Sequence, residues 1–283
     1  MNNFDLRRYR AMLKREVLEH PTLFFGAPVL EALLIVLILA WLQTFVPLEE
    51  KRLAVEYMAV LFNGLSPTDM APIFMLLAIP FVASLYISAI VYLTNSLYQD
   101  RRDTSVLFWQ SMPVSNLQTV LSKIVTIGVV VPLIYMGTLA IMYCIGAIWL
   151  TVMGLSYEVE VAGLGYMFMA ALTSLALVYL STVVASLWLL PTVGWLLLFS
   201  AFAKRTPLLW AIGAFILLGL IEGFVFNTQY LANWVESRSD PSGYLILSFG
   251  SVFDRLFTYD MLFGIAVGSI LITGAVYMRR FID

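Results

Sequence analysis

Residues 165 to 205 run GYMFMAALTSLALVYLSTVVASLWLLPTVGWLLLFSAFAKR. Thirty-nine residues precede the first charge, Lys204, about twice the twenty or so that a helix needs to cross a hydrocarbon core of about 30 Å. An open strand edge is not tolerated in lipid, so the run reads as helix. Leu190-Pro191 lies inside it, and proline's missing N–H and ring clash predict a break there. The topology turns on whether this run crosses once or twice. With one crossing, the N-terminus, the 99–123 loop, Lys204-Arg205 and Arg279-Arg280 share a side and collect 12 of the 16 Lys and Arg residues. The other side keeps Lys51, Arg52, Arg238 and Arg255, with ten of the eighteen acids. Two crossings would reverse everything after Lys204, against the positive-inside tendency.

Working outward, the other long apolar runs are residues 23–47, 70–98, 124–150, 207–231 and 259–278. The expected fold is therefore all-α, a polytopic six-helix transmembrane bundle with both termini cytoplasmic. It comprises an amphipathic interfacial helix over residues 1–22 and one transmembrane domain over 23–283, whose cytoplasmic coupling loop spans 99–123. In the N-terminal segment Leu6, Tyr9, Leu13 and Val17 recur at steps of three and four with basic residues largely between them, a pattern suited to a membrane surface. The segment lacks the short apolar core and small-residue cleavage site of a secretory signal, so the first span is expected to stay as an anchor. The outer segments 48–69 and 232–258 are each long enough for a short helix.

Composition agrees with a lipid setting. Hydrophobic residues make up 61% of the chain, charged residues 12%, and the mean hydropathy is +0.91, where soluble domains hold about 25% charged residues. A net charge of -2 gives no basic stripe for nucleic acid. Cys144 is the single cysteine and His20 the single histidine, which removes intramolecular disulfides, cysteine-rich or paired-histidine metal sites and a buried serine–histidine dyad. No phosphate-binding loop of the G-x-x-x-x-G-K-[ST] form occurs, so any ATP and magnesium are expected on another polypeptide. The chain itself is expected to be no enzyme and to hold no cofactor or metal.

Ionisable groups at membrane depth are costly and are functional candidates by default. Two stand out as a possible substrate path: Glu31 in the first span and Glu222 in the fifth. Prolines within spans, at 28, 80, 132 and 191, permit bends.

The loop between spans two and three carries the most information. Asp100-Arg101-Arg102-Asp103 gives way to an apolar stretch with Phe108 and Trp109, then Pro113, and Ser115 with Gln118 fits a capping box opening a new helix through Lys123. This segment resembles the permease subunits of type 2 ATP-binding cassette exporters. Their pattern is acid-Arg-x-x-Gly-Thr-Leu-Glu, a short apolar stretch, Pro-Val-Ser, and a lysine before span three. Asp100-Arg101 matches its start, Ser105-Val106 its Thr-Leu step, Pro113-Val114-Ser115 its proline turn and Lys123 its lysine. The family's glycine falls on Thr104 and its glutamate on Leu107.

The resemblance implies a coupling helix seated on a cytoplasmic ATPase subunit, with Phe108 and Trp109 as packing anchors and Arg101 and Arg102 as surface charges that set its orientation. It also implies a second permease subunit, identical or different, in the bilayer of a bacterial inner membrane. The alternatives are a secondary carrier coupled through Glu31 or Glu222 and a noncatalytic membrane scaffold.

Overall fold

The computed structural model describes residues 3–102 and 115–279. Within them the chain is helical, without strands. A first helix, α1 (Asn3–Glu19), precedes α2 (Thr22–Phe45), and α3 (Leu48–Phe62) and α4 (Pro67–Leu77) lead to α5 (Ile79–Arg102). There follow α6 (Asn116–Tyr157), α7 (Leu164–Trp188), α8 (Leu190–Phe202) and α9 (Pro207–Phe226). Two short helices, α10 (Tyr230–Ser239) and α11 (Ser251–Leu256), end at α12 (Tyr259–Met278). Six of these, α2, α5, α6, α7, α9 and α12, are long and apolar enough to cross a membrane. α12 matches its expected span, and the outer segments do form short helices.

Proline chemistry explains the interruptions. Pro191 breaks the long run into α7 and α8 at Leu189, as expected. The run read as one span over 70–98 is likewise divided, because α4 ends at Ala78, two residues before Pro80, and the crossing helix begins at Ile79. Pro28 and Pro132 leave their helices continuous. Each follows a five-residue π-helical turn, Thr22–Gly26 or Thr126–Val130, whose wider ring accommodates the missing N–H donor.

By internal packing the chain forms two compact units. The first comprises Met1–His20, Tyr86–Val131 and Ser181–Asp283, the second Pro21–Leu85 and Pro132–Leu180. In the second, Phe74 is buried between Phe62 and Tyr143, with ring centroids 5.9 and 5.2 Å away. The helix break just beyond Phe74 exposes its carbonyl, and the Tyr143 hydroxyl donates to it at 2.5 Å, with Ser174 Oγ 3.2 Å away. In the first unit α8 and α12 meet backbone to backbone. A Cβ on Gly268 would stand 2.6 Å from the Leu190 carbonyl carbon, and one on Gly194 would stand 2.8 Å from Leu271 Cβ. Small residues give membrane helices this close approach.

Exposure is strongly uneven. Half of the most apolar window of α7 is buried, against 11% for α2 and 6% for α9, so the rest of the chain covers little of the last two, as helices in lipid allow. Exposed Leu30, Leu33, Leu37, Trp41, Leu209 and Trp210 need no protein cover in that solvent.

Candidate functional site

Four charged side chains from four segments of the first unit meet in its interior. Glu16 of α1 is 2% exposed, Lys123 of α6 1%, Asp100 of α5 7% and Arg279, just beyond α12, 3%. Lys123 Nζ donates to both Glu16 carboxylate oxygens at 3.1 Å, and the Tyr92 hydroxyl donates to the same carboxylate at 2.7 Å. Asp100 Oδ2 lies 3.5 Å from Lys123 Nζ and 3.8 Å from Arg279 Nη2. Two acids face two bases, so the cluster is electrically balanced. Taking each ion out of water costs several kcal/mol, which only close pairing offsets.

Local sequence explains how each member arrives. The Ser115 hydroxyl accepts from the Gln118 N–H at 3.1 Å while Gln118 returns a bond to the Ser115 N–H at 3.0 Å. This is the expected capping box, and it starts α6 two turns before Lys123. α5 continues through Arg102, so Asp100, Arg101 and Arg102 sit on a helix's last turn and not in a loop beginning at 99.

Electrostatics follow from this packing. Burial pushes the Glu16 carboxyl upward, but Lys123 and the Tyr92 hydroxyl more than reverse it and leave its pKa below the usual value. Burial also lowers the Arg279 guanidinium, which Asp100 partly counteracts. His20, whose ring stands edge-on to Tyr92 at 5.2 Å, is held below its ordinary pKa by burial and then by the charge of Lys123. It is half-buried beside the cluster.

Arg101 departs from its expected role. Its guanidinium does not face outward; Nη2 donates to the Ser200 carbonyl at 2.9 Å and the Ala203 carbonyl at 2.6 Å, filling acceptors at the end of α8. The Ser200 hydroxyl in turn accepts from the Leu97 and Tyr98 N–H groups at 3.1 Å. Arg102 remains exposed. Ser105, Val106, Phe108, Trp109 and Pro113 lie outside the described residues.

The membrane-depth acids go elsewhere. Glu31 accepts a 2.6 Å hydrogen bond from Ser84 Oγ within the second unit. Glu222, in the first unit, accepts from the Leu231 N–H at 2.9 Å and from the Thr228 hydroxyl at 3.1 Å, and so caps the start of α10. Among the described residues no three His, Cys, Asp or Glu side chains gather as a metal site would need.

Glu16 and Arg279 escaped the sequence reading. A signal for Glu16 existed: it falls in register with Tyr9, Leu13 and His20 at steps of four, three and four, an acid on an otherwise apolar helix face. Arg279 had none, because only tertiary folding brings it to Asp100. The fold and the cluster define a polytopic all-α integral membrane protein. No family model, no curated protein and no solved structure matches the chain.

Proposed function

We propose that the chain is the membrane-spanning permease subunit of a type 2 ATP-binding cassette exporter. In this reading it pairs with a second permease subunit, and a separate cytoplasmic ATPase binds the ATP and magnesium. Its termini face the cytosol, and the membrane is a bacterial inner membrane. The observation that carries the reading is the buried Asp100–Lys123 pair at 3.5 Å. It fastens the two ends of the segment bearing the family-like residues to each other, and through Glu16 and Arg279 to α1 and to the end of α12.

Such a stem converts a push on residues 103–114 into a joint displacement of α5 and α6, since breaking the pair would strand a charge in a dry interior. ATP-driven closure of the partner then biases the bundle between two packed states, a rigid-body transition. Phe108 and Trp109 supply the apolar anchor. The test is the double substitution Phe108→Ala, Trp109→Ala in the intact complex. The variant is expected to insert normally but to lose co-purification with the ATPase and stimulation of its turnover. Unchanged coupling rejects the proposal, and transport by the purified chain alone would favour a carrier.

A further inference from the structure

A cavity of about 460 Å³, open over part of its surface, is lined by residues of the first unit from α8, α9, α10 and α12. Its principal lining side chains are Trp195, Phe215, Leu218, Leu231, Trp234 and Val267, and no charged residue borders it. Thr192 and the two indoles are the only lining residues with a polar side-chain atom. The Trp195 indole N–H is already engaged, donating to the Ala211 carbonyl at 3.1 Å. A buried water needs two to four polar partners, and these walls do not offer them.

The cavity's neighbours say what fills it. α9, an apolar helix long enough to cross a membrane, forms one wall, and along Pro207–Ile221 only Pro207 and Ala211 are buried. Phe215 and Leu218, on the same helix, line the cavity and are exposed. On another side α10 closes it with Leu231, Trp234 and Val235. That lid is fixed at its start by Glu222 and at its end by Arg238, which donates to the Trp188 carbonyl at 3.1 Å and stacks 4.1 Å from the Trp188 ring centre. An empty space of this size would leave its lining without dispersion contacts, and the adjacent fluid is hydrocarbon.

We infer that this cavity is a binding site for one acyl chain of a bilayer lipid, inserted between α8, α9 and α12 beneath the α10 lid. At about 30 Å³ per water-sized group, the volume admits on the order of fifteen methylene-sized units or more. Because the lining is almost wholly apolar and carries no charge, the site reads the chain and not the headgroup. It is independent of the exporter reading and needs no partner protein.

The test uses the full chain, reconstituted separately with phosphatidylcholine, phosphatidylglycerol or phosphatidylethanolamine, extracted in mild detergent and weighed by native mass spectrometry. One retained lipid per chain is expected with all three. Val267→Phe and Leu218→Phe, which fill the cavity from opposite walls, are each expected to cut retention at least tenfold without lowering the melting temperature. Should both variants misfold, lipid brominated on its chains is expected to quench emission lost in Trp195→Phe more strongly than emission lost in Trp149→Phe. Three results overturn the inference: equal retention in the filled variants, retention of one headgroup only, or a lipid-free dimer that the filled variants dissociate, which would give the cavity to a second copy.

Discussion

Lys123→Met removes a cation that touches both acids of the buried cluster. Glu16, 2% exposed, then keeps the Tyr92 hydroxyl and the weaker field of Arg15, while Asp100 keeps Arg279 at 3.8 Å. Stranding one member of a buried pair costs about 3–5 kcal/mol, so this variant should lose roughly two to three and a half powers of ten in its folding equilibrium. Glu16→Gln should cost less, about 1–3 kcal/mol, because Lys123 retains Asp100 at 3.5 Å and the Tyr92 hydroxyl still finds an amide oxygen. Combined, the two substitutions leave no uncompensated charge at the Glu16 end, and the loss should fall short of the sum by about 2–3 kcal/mol. Denaturant titration of the purified chain in micelles gives the cycle, and hydrogen exchange in α1 and the first ten residues of α6 locates it. A Lys123→Met cost below about 1 kcal/mol, or strict additivity, would falsify the view that these charges are tightly coupled.

Acid should act in two steps. His20 has a depressed pKa in the folded chain, so its contribution is full above its ordinary value of 6.5 and declines as pH falls below it; His20→Gln should flatten that part of a stability-against-pH curve. Glu16 is likewise depressed, so its contribution is full above 4.5 and declines on further acidification, a phase that Glu16→Gln should abolish. Gly268→Ala would force a Cβ to within 2.6 Å of the Leu190 backbone and should destabilise by about 1–3 kcal/mol, read from the thermal midpoint. Glu222→Ala leaves the Leu231 N–H without its acceptor, and should cost about 1–3 kcal/mol with faster exchange at the start of α10. If exchange there stays unchanged, Glu222 is not that helix's cap.

Much of the fold was legible because bilayer thickness and proline chemistry act locally. The 39-residue run, its break near Pro191 and the Ser115 capping box all follow from neighbours in sequence. The split of the second span at Ala78 was legible in principle, since Pro80 sat in plain view, but an in-span proline does not by itself distinguish a break from a π-helical turn. The structure uses both, a break before Pro80 and π-helical turns before Pro28 and Pro132. The site was only half legible. Asp100 and Lys123 lay in the resemblance, whereas Glu16 and Arg279 join them across more than 80 residues of chain in each case, a separation that periodicity does not register.

The positions of the other polar groups obey one rule. Lipid supplies no water to a carbonyl freed by a helix end, so protein must. Tyr143 serves Phe74, Arg238 serves Trp188, Lys51 serves Gln43 at 2.7 Å, and Arg101 serves Ser200 and Ala203. With charged residues at 12% of the chain, this need absorbs several of the cations and aromatic hydroxyls near the spans. A substrate relay built from membrane-depth ionisable groups would need side chains beyond these, and both candidates, Glu31 and Glu222, already accept hydrogen bonds from their own unit. Polar side chains so committed tie helix ends and loops to their neighbours within one unit. Under the exporter proposal, the stem at Asp100 and Lys123 is where a partner's push would enter, because there the ends of α5 and α6, α1 and the residue after α12 share one set of charges.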